Sequence, residues 1–511
     1  MKKQKILIVT ARKAFLDVKN HLKDSRVNAE IHVCNADVAS LLTPRAILRE
    51  LSNKNLNDIS MILVPGMIRG DVSIIEKKLK IPCVKGTKNA SDLGLLLEKL
   101  YNNEIKLSTR EPADRIILEE RKKRAMKEIK NAYKLSGYRL KIGRKNPVYL
   151  NGEIPHIISE IVNAPSLSEN ELRRISRHYV DSGASIIDIG MIPGEENSEK
   201  IPRIIEILRS TVDVPLSIDT LNKEEILVAV ENGIDLVLSI DETNYKICDS
   251  LEIPVVIIPR DKNGKIPVSA DERISIIEKI INFLNKNNNI IVDPVLEIPN
   301  FGFINSLEAY IVFRKRYPEI PMLIGSGNLT EMIDADSIGI NALIAAISSE
   351  LGIDLIFTTE ASKKTRGCVK ELSNAIGMMY LSRKQKQPPK DLGVDLLYIK
   401  DKNHVKPIID PREKHIETIH AHKDKKSEME DVEFRIYLTD KINAVVYKDG
   451  VPKLRFMGRR ASKIYKEIIG RNLMRNLYHA AYLGKELTKA EIALRLGKNY
   501  IQDEELFKNG L

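Results

Sequence analysis

A chain of 511 residues is too long for one ordinary hydrophobic core, and this length predicts about three domains. Hydrophobic residues make up 43% of it and charged residues 30%, which excludes a mainly disordered chain. The formal net charge of +11 is a mild excess, and no stretch interleaves arginines with aromatic residues. We therefore expect anionic small ligands and no nucleic acid.

The spacing of the cysteines and the lengths of the apolar runs indicate the cellular compartment. Cys34, Cys83, Cys248 and Cys368 lie far apart with no C-x-x-C spacing, so we expect buried free thiols in a reducing cytoplasm. The apolar runs are too short to span a bilayer, and no secretion signal precedes the first of them. The sequence thus predicts a cytoplasmic protein without membrane contact, and its many Lys, Glu and Ile residues favour a heat-adapted source.

Residues 1–105 are predicted to form a small parallel α/β domain. Short apolar strands at 5–10, 30–34, 58–64 and 81–84 alternate with helical patterns that include 71–79 and 91–100. Ligands of such sheets bind at the carboxyl ends of the strands, here near 10–12 and the GMIRGD segment at 66–71. A plain turn explains the two glycines of that segment equally well, and no G-x-G-x-x-G fingerprint follows the first strand. We therefore predict no dinucleotide site.

Residues 106–149 are predicted to be a helical linker. The pattern at 111–133 is helical and rich in charge, with an apolar stripe that includes Ile116, Leu118, Ala125 and Met126. We interpret the charges as a solvated face and the stripe as the surface that packs on a neighbouring element.

Residues 150–385 are predicted to form a (β/α)₈ barrel, the central domain of an α/β protein. Eight strand-like runs occur, at 156–163, 185–190, 215–219, 236–240, 254–258, 290–293, 321–325 and 354–358. Helical patterns occupy most of the gaps, including 169–182, 223–232, 271–285, 306–316 and 335–351. This count and length match a TIM barrel, although periodicity alone also allows a doubly wound open sheet.

Residues 391–511 are predicted to form an α+β tail domain. Strands at 434–437 and 444–447 come with a Lys448-Asp-Gly hairpin signal, and helices follow at 462–483 and 488–496, the second ended by Gly497. His415, His420 and His422 precede them at a spacing that metal ligands can have. Because a stable metal site needs fixed ligands and no cysteine lies nearby, we predict no metal there.

Polar side chains end most of the predicted barrel strands, and the active sites of such barrels lie at that face. The candidates are Asn163, Asp188, Asp219, Ser239, Asp293, Ser326, Asn328, Thr358, Thr359 and Glu360. Three of them are aspartates that end apolar strands, in SIIDIG, LSIDT and IIVDP. Any one aspartate could instead cap the helix that follows it. Buried carboxylates gathered at one face need a compensating ligand, so we favour a shared ligand for the three.

A pterin ring fits such a set of partners. Its 2-amino group and N3–H form a paired donor edge, which one carboxylate accepts in two parallel hydrogen bonds. Further Asp, Asn or Ser side chains satisfy the other ring nitrogens and O4. A flat heterocycle with polar edges, bound in an apolar barrel mouth, needs about this set of groups.

Six short motifs fall in order through the predicted barrel, namely Asn163-Ala-Pro, GASIIDIG from Gly183, Ser217-Ile-Asp-Thr, Gly233 to Ile240, Ile291-Val-Asp-Pro and Gly325-Ser-Gly-Asn. In this order and spacing they resemble the pterin-binding domain that dihydropteroate synthase shares with the methyltetrahydrofolate-dependent corrinoid methyltransferases. The flanking domains resemble those of archaeal proteins described as dihydropteroate synthase-related. The resemblance implies a TIM barrel that binds a reduced pterin.

The resemblance also implies roles for individual residues. Asp219 and Asp293 would hold the pterin edge, with Asp293 accepting the paired donors. Asp188 would support the ring near its other edge, and Ser239, beside the position of an Asn in the synthase, would contact it too. Asn163 would lie near a diphosphate and a Mg²⁺ ion, where the synthase uses an Asn.

Other positions of the family pattern are occupied differently. The synthase has a longer first loop, Met191-Ile-Pro replaces its Ser-Thr-Arg after strand 2, and Gly327-Asn-Leu replaces its Ser-Arg-Lys after strand 7. Phe357 and Thr359 stand in place of the Arg and His of strand 8. The pterin floor is therefore kept, whereas the contacts to p-aminobenzoate and diphosphate are changed.

The resemblance first implies a transferase that joins a pterinylmethyl diphosphate to an arylamine in folate or tetrahydromethanopterin metabolism. In the second pathway the partner substrate would be a larger, phosphorylated arylamine. Lys363, Lys364 and Arg366 follow strand 8 and would assist departure of the diphosphate. Alternatively, these cations form only the solvated start of a helix.

As an alternative, the resemblance implies a methyltransferase that passes a methyl group from a reduced pterin to a corrinoid protein. Asn328 favours this function because such enzymes carry an Asn there that hydrogen-bonds N5. Asn328 with Glu331 could also be a helix capping box. A non-catalytic pterin carrier is the remaining alternative. Barrels of this family are often homodimers, which we expect here as well.

Overall fold

The computed structural model describes residues 5–22, 25–102, 104–134, 137–284, 289–399, 432–474 and 476–507. The chain divides into two units, Met1–Ile399 and Lys400–Leu511. The first unit holds a four-stranded sheet and an eight-stranded sheet, and the second holds a three-stranded sheet with two helices.

The N-terminal part of the first unit is a parallel α/β sheet. Its elements are β1 (Lys5–Ala11), α1 (Phe15–Leu22), β2 (Asn28–Cys34), α2 (Pro44–Leu51), β3 (Ile59–Val64), α3 (Ser73–Leu79), β4 (Cys83–Lys85) and α4 (Leu93–Tyr101). The parallel strands lie in the order β2-β1-β3-β4, so β2 is an edge strand. The predicted N-terminal α/β sheet is therefore confirmed.

Helix α5 (Leu118–Ala132) follows this sheet and lies inside the predicted helical stretch. Arg121 on it is only 7% exposed and pairs with Asp92 at 2.6 Å and Asp114 at 3.0 Å. Met126, predicted to lie on the packing stripe, is 58% exposed. The prediction of a solvated charged face was wrong at Arg121, because acidic side chains from neighbouring segments compensate its charge in the interior.

A short antiparallel hairpin of β5 (Leu140–Ile142) and β6 (Val148–Leu150) lies between α5 and the barrel. The prediction of a helical linker over 106–149 was wrong here. Strands of three residues are too short to carry a readable alternation of apolar and polar residues.

Eight parallel strands form the barrel, in the order β12-β11-β10-β9-β8-β7-β14-β13. They are β7 (His156–Ile161), β8 (Ile186–Gly190), β9 (Leu216–Asp219), β10 (Leu236–Ile240), β11 (Val255–Ile257), β12 (Ile290–Val292), β13 (Leu323–Gly325) and β14 (Leu355–Thr359). A parallel bridge between Val292 and Met322 joins the two ends of this order. The sheet therefore closes on itself, as predicted, and the open doubly wound alternative is excluded.

The barrel helices lie between and after these strands. They are α6 (Glu169–Ser182), α7 (Ile201–Arg209), α8 (Lys223–Glu231), α9 (Ala270–Phe283), α10 (Phe303–Arg316), α11 (Gly327–Thr330), α12 (Ser337–Leu351) and α13 (Cys368–Gln385). Helix α6 has the predicted bounds and begins with a capping box between Ser168 and Glu171. The helices bury apolar side chains against the outward residues of the strands.

The hairpin closes the end of the barrel at which the strands begin. Leu140 and Leu150 of the hairpin pack in one cluster with the inward side chains Ile158, Leu236 and Leu323. These apolar side chains fill the barrel interior near the starts of the strands. The polar inward residues of the acidic face lie at the opposite end.

Asp354 lies at this closed end, directly before β14, and is only 1% exposed. The backbone N–H groups of Gly152 and Met322 donate to it at 3.0 and 3.1 Å, and guanidinium nitrogens of Arg139 and Arg314 each lie 3.7 Å from its Oδ2. Burial still raises the pKa of Asp354, and these groups oppose that shift. The carboxylate at the closed end is thus compensated by the protein itself.

The second unit is an antiparallel sheet of β15 (Val432–Leu438), β16 (Ile442–Lys448) and β17 (Val451–Gly458), followed by α14 (Ala461–Gly470) and α15 (Leu477–Leu496). Asp449 and Gly450 have φ of 52° and 73°, as a type I′ turn requires. The predicted hairpin signal therefore joins β16 to β17, and β17 is a strand that the sequence analysis missed.

The break between the two tail helices was predicted too late in the chain. Asn476 caps α15 by accepting the N–H of Tyr478 at 2.8 Å, and the helix continues past Gly484 to Leu496. Inside it, the hydroxyl of Thr488 donates to the carbonyl of Gly484 at 2.7 Å. Gly484 and Thr488 are weak helix formers, and tertiary packing overrides their low propensity. His415, His420 and His422 lie outside the described residues.

The four cysteines are buried free thiols, as predicted. Among the described helices, none combines the length and the apolar character that crossing a bilayer requires.

Candidate functional site

Acidic side chains gather at the carboxyl ends of the barrel strands. Glu160 on β7 is the register partner of Asp188 on β8, while Asp219 ends β9 and Asp293 directly follows β12. Because side chains alternate along a strand, Asp188 faces into the barrel while its neighbour Ile189 packs in the outer core. We call these four residues, Glu160, Asp188, Asp219 and Asp293, the acidic cluster.

Asp188 is the most deeply buried member, with no exposed surface. The hydroxyl of Ser217 donates to its Oδ1 at 2.6 Å, while its Oδ2 is buried without a hydrogen bond to any described residue. Burial raises the pKa of Asp188 well above its ordinary value, and the nearby charges of Asp219 and Glu160 add to that effect. A buried orphan oxygen of this kind requires a ligand donor or a proton.

Asp219 and Ser239 were both predicted to contact the ligand, and the structure brings them together. The Ser239 hydroxyl donates to Asp219 Oδ1 at 2.5 Å, and burial raises the pKa of Asp219. Ser239 has a φ of 65°, a left-handed conformation that is uncommon for residues other than glycine. Strained backbone of this type concentrates at functional sites, because the surrounding structure must hold it in place.

Glu160 is the member of the cluster that the sequence analysis missed. Burial raises its pKa to about 7, and the charges of Asp219 and Glu331 contribute in the same direction. A Cβ atom at Gly190 would overlap the Glu160 carboxylate, so glycine at this position leaves room for that side chain in its present conformation. A glutamate inside the otherwise apolar strand HIISEI was the available signal.

Asp293 is held by the loop that follows its strand. The backbone N–H of Val295 donates to its Oδ1 at 2.8 Å, and the hydroxyl of Tyr310 on α10 donates to the same oxygen. Val295 has a φ of 63°, which is strained for a β-branched residue. Burial raises the pKa of Asp293 to about 6, while the Tyr310 hydrogen bond opposes that shift.

Arg273, a residue of α9 with no exposed surface, fixes this loop. Its guanidinium donates to the carbonyl oxygens of Pro267 at 2.6 Å and Pro294 at 2.9 Å, and to Glu297 Oε1 at 2.8 Å. Neither Arg273 nor Tyr310 was predicted as a site residue. Both act from helices, and no strand-end pattern indicates them.

None of the three predicted aspartates caps the helix that follows it. The residues before α7, α8 and α10 are Lys200, Asn222 and Gly302. The capping alternative is therefore wrong for all three. Within the described residues, no cationic side chain comes within 4.0 Å of a carboxylate oxygen of the acidic cluster. Asp188, Asp219 and Glu160 thus lack the ionic compensation that buried carboxylates need, whereas Asp293 is partly compensated by its two hydrogen bonds and by the charge of Arg273.

The end of the barrel at which the strands finish, with the acidic cluster, is called the mouth. Other predicted residues lie outside the acidic cluster. Asn163 is exposed, has a φ of 51° and precedes a short 3₁₀ turn. The amide of Asn328 donates to the carbonyl of Leu296 at 2.7 Å, so it ties α11 to the loop after Asp293. Ser326, and not Asn328, precedes α11, so the capping-box alternative for Asn328 is wrong.

Lys364 and Arg366 differ in how they are engaged. The amine of Lys364 donates to the carbonyls of Glu331 at 2.7 Å and Ile333 at 3.0 Å and pairs with Asp334 at 2.9 Å. Arg366 is exposed near the start of α13. Lys364 is therefore committed to the segment after α11, whereas Arg366 faces solvent.

Comparison with known proteins identifies the family. A family model described as pterin binding enzyme matches residues 164–298, and one described as PterinBD-DUF4346 matches residues 413–503. Residues 4–88 match a family of unknown function, DUF6513. An uncharacterized protein of Methanocaldococcus jannaschii is 38% identical over 98% of this chain and 99% of its own length. The chain belongs to the family of that archaeal protein, and its barrel belongs to the pterin-binding, dihydropteroate synthase-like family.

More distant similarities concern the barrel. Dihydropteroate synthase of a Synechocystis strain is 26% identical over 29% of this chain and 61% of its own length. The folic acid synthesis protein fol1 of Pneumocystis carinii is 28% identical over 35% of this chain and 29% of its own length. Among solved structures, Yersinia pestis dihydropteroate synthase covers 48% of this chain and 100% of its own, with 17% identity and a TM-score of 0.38.

Proposed function

We propose that the acidic cluster binds the ring of a reduced pterin and that the barrel transfers a group from or to that ring. The observation that carries this proposal is the uncompensated state of the cluster. Four carboxyl groups at one end of a barrel, with no cationic side chain within 4.0 Å among the described residues, must either take up protons or meet a ligand that donates hydrogen bonds or gains positive charge. A pterin does both.

Asp293 accepts the 2-amino group and N3–H of the ring. A carboxylate has about four acceptor positions. Val295 N–H and the Tyr310 hydroxyl take positions on Oδ1, and no described residue donates to Oδ2. The Arg273 contacts hold the loop, so that the carboxylate is oriented before the ligand arrives.

Asp188, Asp219 and Ser239 contact the other polar positions of the ring. The raised pKa of Asp188 favours its protonated form, so this group can donate a hydrogen bond to a ring nitrogen or to O4. Asp219 receives the Ser239 hydroxyl on Oδ1 and can accept a further donor. The cluster therefore offers both a donor and acceptors, which matches the mixed edge of a reduced pterin.

The reaction that these groups support best is the joining of a pterinylmethyl diphosphate to an arylamine. The C–O bond to diphosphate breaks, the arylamine nitrogen bonds to the methylene carbon, and the proton lost from nitrogen passes to Glu160. A pKa of about 7 suits Glu160 to take up that proton at neutral pH. Positive charge develops on the pterinylmethyl group as diphosphate leaves, and nearby carboxylates stabilise it. Similarity of the barrel to proteins named dihydropteroate synthase supports this choice of reaction.

In this proposal, Arg366 and Asn163 bind the diphosphate. Both are exposed at the side of the barrel where the strands end, whereas the contacts of Lys364 leave it a positioning role. The residues fit a Mg²⁺ ion only as one held chiefly by diphosphate and water, because Asn163 supplies a single amide oxygen. Such an ion would neutralise charge on the departing diphosphate.

Methyl transfer from a reduced pterin to a corrinoid protein is the second candidate. Glu160 favours it, since a proton donor near N5 assists departure of a methyl group from that atom. Asn328 keeps a second amide hydrogen after its bond to Leu296, and it could direct that hydrogen to N5. A carrier without turnover uses the same ring contacts and neither reaction.

Calorimetric titration with oxidised and reduced pterins tests the shared part of these proposals. We expect micromolar binding by the wild type, and no detectable pterin binding would overturn the assignment of the acidic cluster. Two assays then separate the reactions. Mg²⁺-dependent release of diphosphate with p-aminobenzoate or a phosphorylated arylamine supports the synthase-like transferase. Methyl transfer to cob(I)alamin that is abolished in Asn328→Ala supports the methyltransferase. Binding without either activity supports the carrier.

A further inference from the structure

A second group of potential ligand side chains lies in the N-terminal sheet, far from the barrel mouth in sequence. His32 and Cys34 are on the edge strand β2 and Glu50 is on α2. One ligand atom from each of the three residues lies within 4.8 Å of the others. We call His32, Cys34 and Glu50 the edge cluster.

The fold explains why these side chains meet. His32 and Cys34 are two positions apart on one strand, so they share a face of the sheet. Helix α2 packs on that face through Ile47 and Leu51, which are buried in the same core as Cys34. Glu50 precedes Leu51 and reaches the border of this core, where the N–H of Asn35 lies 3.2 Å from each of its carboxylate oxygens.

One atom of the edge cluster lacks a partner. Nε2 of His32 is shielded from water and makes no hydrogen bond to any described residue, although it lies 3.4 Å from Glu50 Oε2. A surface ion pair would align an N–H with the carboxylate. Two ligands that each lie about 2.1 Å from a tetrahedral Zn²⁺ are about 3.4 Å apart, which matches the His32–Glu50 separation.

We propose that His32 Nε2, Cys34 Sγ and a Glu50 carboxylate oxygen bind one Zn²⁺ ion. Imidazole, thiolate and carboxylate are all ligands of zinc, and harder cations such as Mg²⁺ and Ca²⁺ avoid a thiolate. Three protein ligands leave the fourth tetrahedral position for water or a small ligand. The side chains of His32 and Glu50 are 17% and 25% exposed, so the edge cluster lies at the border of the core and is partly accessible to solvent.

The site has a structural consequence for the edge of the sheet. Binding would join the carboxyl end of β2 to α2 and close the loop between Cys34 and Pro44. Arg12 lies beside this loop, where its backbone N–H donates to the carbonyl of Ala36 at 3.0 Å and its guanidinium pairs with Asp37 at 3.3 Å.

The experiment uses the full chain, freed of metal with a chelator and then titrated with Zn²⁺ and with Co²⁺. We expect about one metal ion per chain, a thiolate-to-cobalt absorption band and a rise in Tm with Zn²⁺. Cys34→Ser and His32→Gln should each weaken binding at least about tenfold. His32→Gln keeps the test valid if Cys34→Ser folds poorly, and circular dichroism monitors folding.

Two matched variants serve as controls. Cys83→Ser removes a buried thiol from the same sheet and should bind metal as the wild type does. Replacement of His415, His420 and His422 by Gln should also leave the cobalt spectrum unchanged. The proposal is overturned if the wild type binds no Zn²⁺, if Cys34→Ser and Cys83→Ser bind equally, or if the histidine replacements alone remove the metal.

Discussion

The two ends of the barrel treat buried carboxylates in opposite ways. At the closed end, two backbone N–H groups donate to Asp354, and two arginines lie 3.7 Å from it. At the mouth, Asp188 has one hydroxyl donor and one buried oxygen without a partner, and its nearest charges are acidic. The closed end is built for stability, whereas the mouth keeps an unfavourable arrangement that a ligand can relieve.

A buried carboxylate can therefore have either of two roles, in folding stability or in ligand binding. A carboxylate that the protein compensates contributes to the folded state, and its removal takes a buried acceptor from N–H groups and a nearby negative charge from arginines. A carboxylate that the protein leaves uncompensated is costly to the empty fold and useful to the bound one. The same Asp→Asn or Glu→Gln change should therefore have opposite consequences at the two ends.

The largest effect is expected at the paired donor edge of the ring. Asp293→Asn replaces two charge-assisted hydrogen bonds by an amide that opposes one ring donor with its own N–H, so pterin affinity should fall about 100-fold or more. Calorimetric titration with a reduced pterin measures it. Asp261→Asn is the matched control, because that aspartate also shapes a loop after a barrel strand and accepts the N–H of Asn263 at 2.9 Å. Unchanged affinity in Asp293→Asn would remove the pterin assignment from this residue.

Substitution of the aspartate at the closed end should lower the free energy of unfolding and leave pterin affinity unchanged. Asp354→Asn leaves Arg139 and Arg314 without their shared carboxylate, so the free energy of unfolding should fall by about 3 kcal/mol. Urea unfolding measures this loss, and pterin affinity should stay at the wild-type value. Asp213→Asn, an exposed aspartate paired with Lys145 at 3.2 Å, should change stability by less than about 0.5 kcal/mol. Equal losses in both variants would contradict the compensation argued for Asp354.

At the mouth, removal of a carboxylate should raise the free energy of unfolding instead of lowering it. Glu160→Gln removes a carboxylate that has to ionise in a buried, acidic setting, so the empty protein should gain on the order of 1 to 3 kcal/mol of stability at pH 8. Glu225→Gln is the contrasting variant, because this buried glutamate receives the Thr220 hydroxyl at 2.5 Å and the Asn197 N–H at 3.1 Å. It should lose stability in the same unfolding measurement. A loss in Glu160→Gln would show that the mouth is compensated after all.

The sequence allowed one part of this contrast to be predicted. Three apolar strands that end in Asp indicated the carboxyl-end face of the barrel, and Ser239, predicted as a ligand contact from the next strand, donates a hydrogen bond to Asp219. Glu160 was missed because the first barrel strand was predicted to run to residue 163, whereas β7 ends at Ile161. With the strand end placed two residues too late, the predicted site included exposed Asn163 and not the inward Glu160. Strand ends are poorly determined by local pattern, and site residues lie at strand ends.

Other features could not be read from local pattern at all. Arg273 and Tyr310 lie on helices with ordinary amphipathic sequences, and only the closed barrel brings them to the loop after Asp293. The compensation of Asp354 depends on Arg139, which lies more than two hundred residues earlier in the chain. Contacts of such separation follow from topology, so they become visible only when the barrel is assembled.

The smallest expected effect is the pH dependence of the mouth, and it sharpens the comparison because stability and affinity should move in opposite directions. The folded-state pKa values of Glu160 and Asp293 are raised, to about 7 and about 6. Groups with raised values contribute stability that is fully present below their unfolded pKa and is lost as pH rises through the folded one. The Tm of the empty protein should therefore fall between pH 5 and pH 8, and Glu160→Gln should reduce that slope.

Pterin binding needs the ionised form of Asp293, so affinity should rise over the same interval. With a pKa of about 6, binding at pH 5 should be about tenfold weaker than at pH 7. Titrations of Glu160→Gln at both values remove the contribution of Glu160, so the remaining pH dependence comes from Asp293 and from the raised pKa values of Asp188 and Asp219. An affinity that does not change with pH in that variant would mean that Asp293 is already ionised at pH 5. The mouth would then hold one compensated carboxylate, and the difference between the two ends of the barrel would rest on Asp188, Asp219 and Glu160.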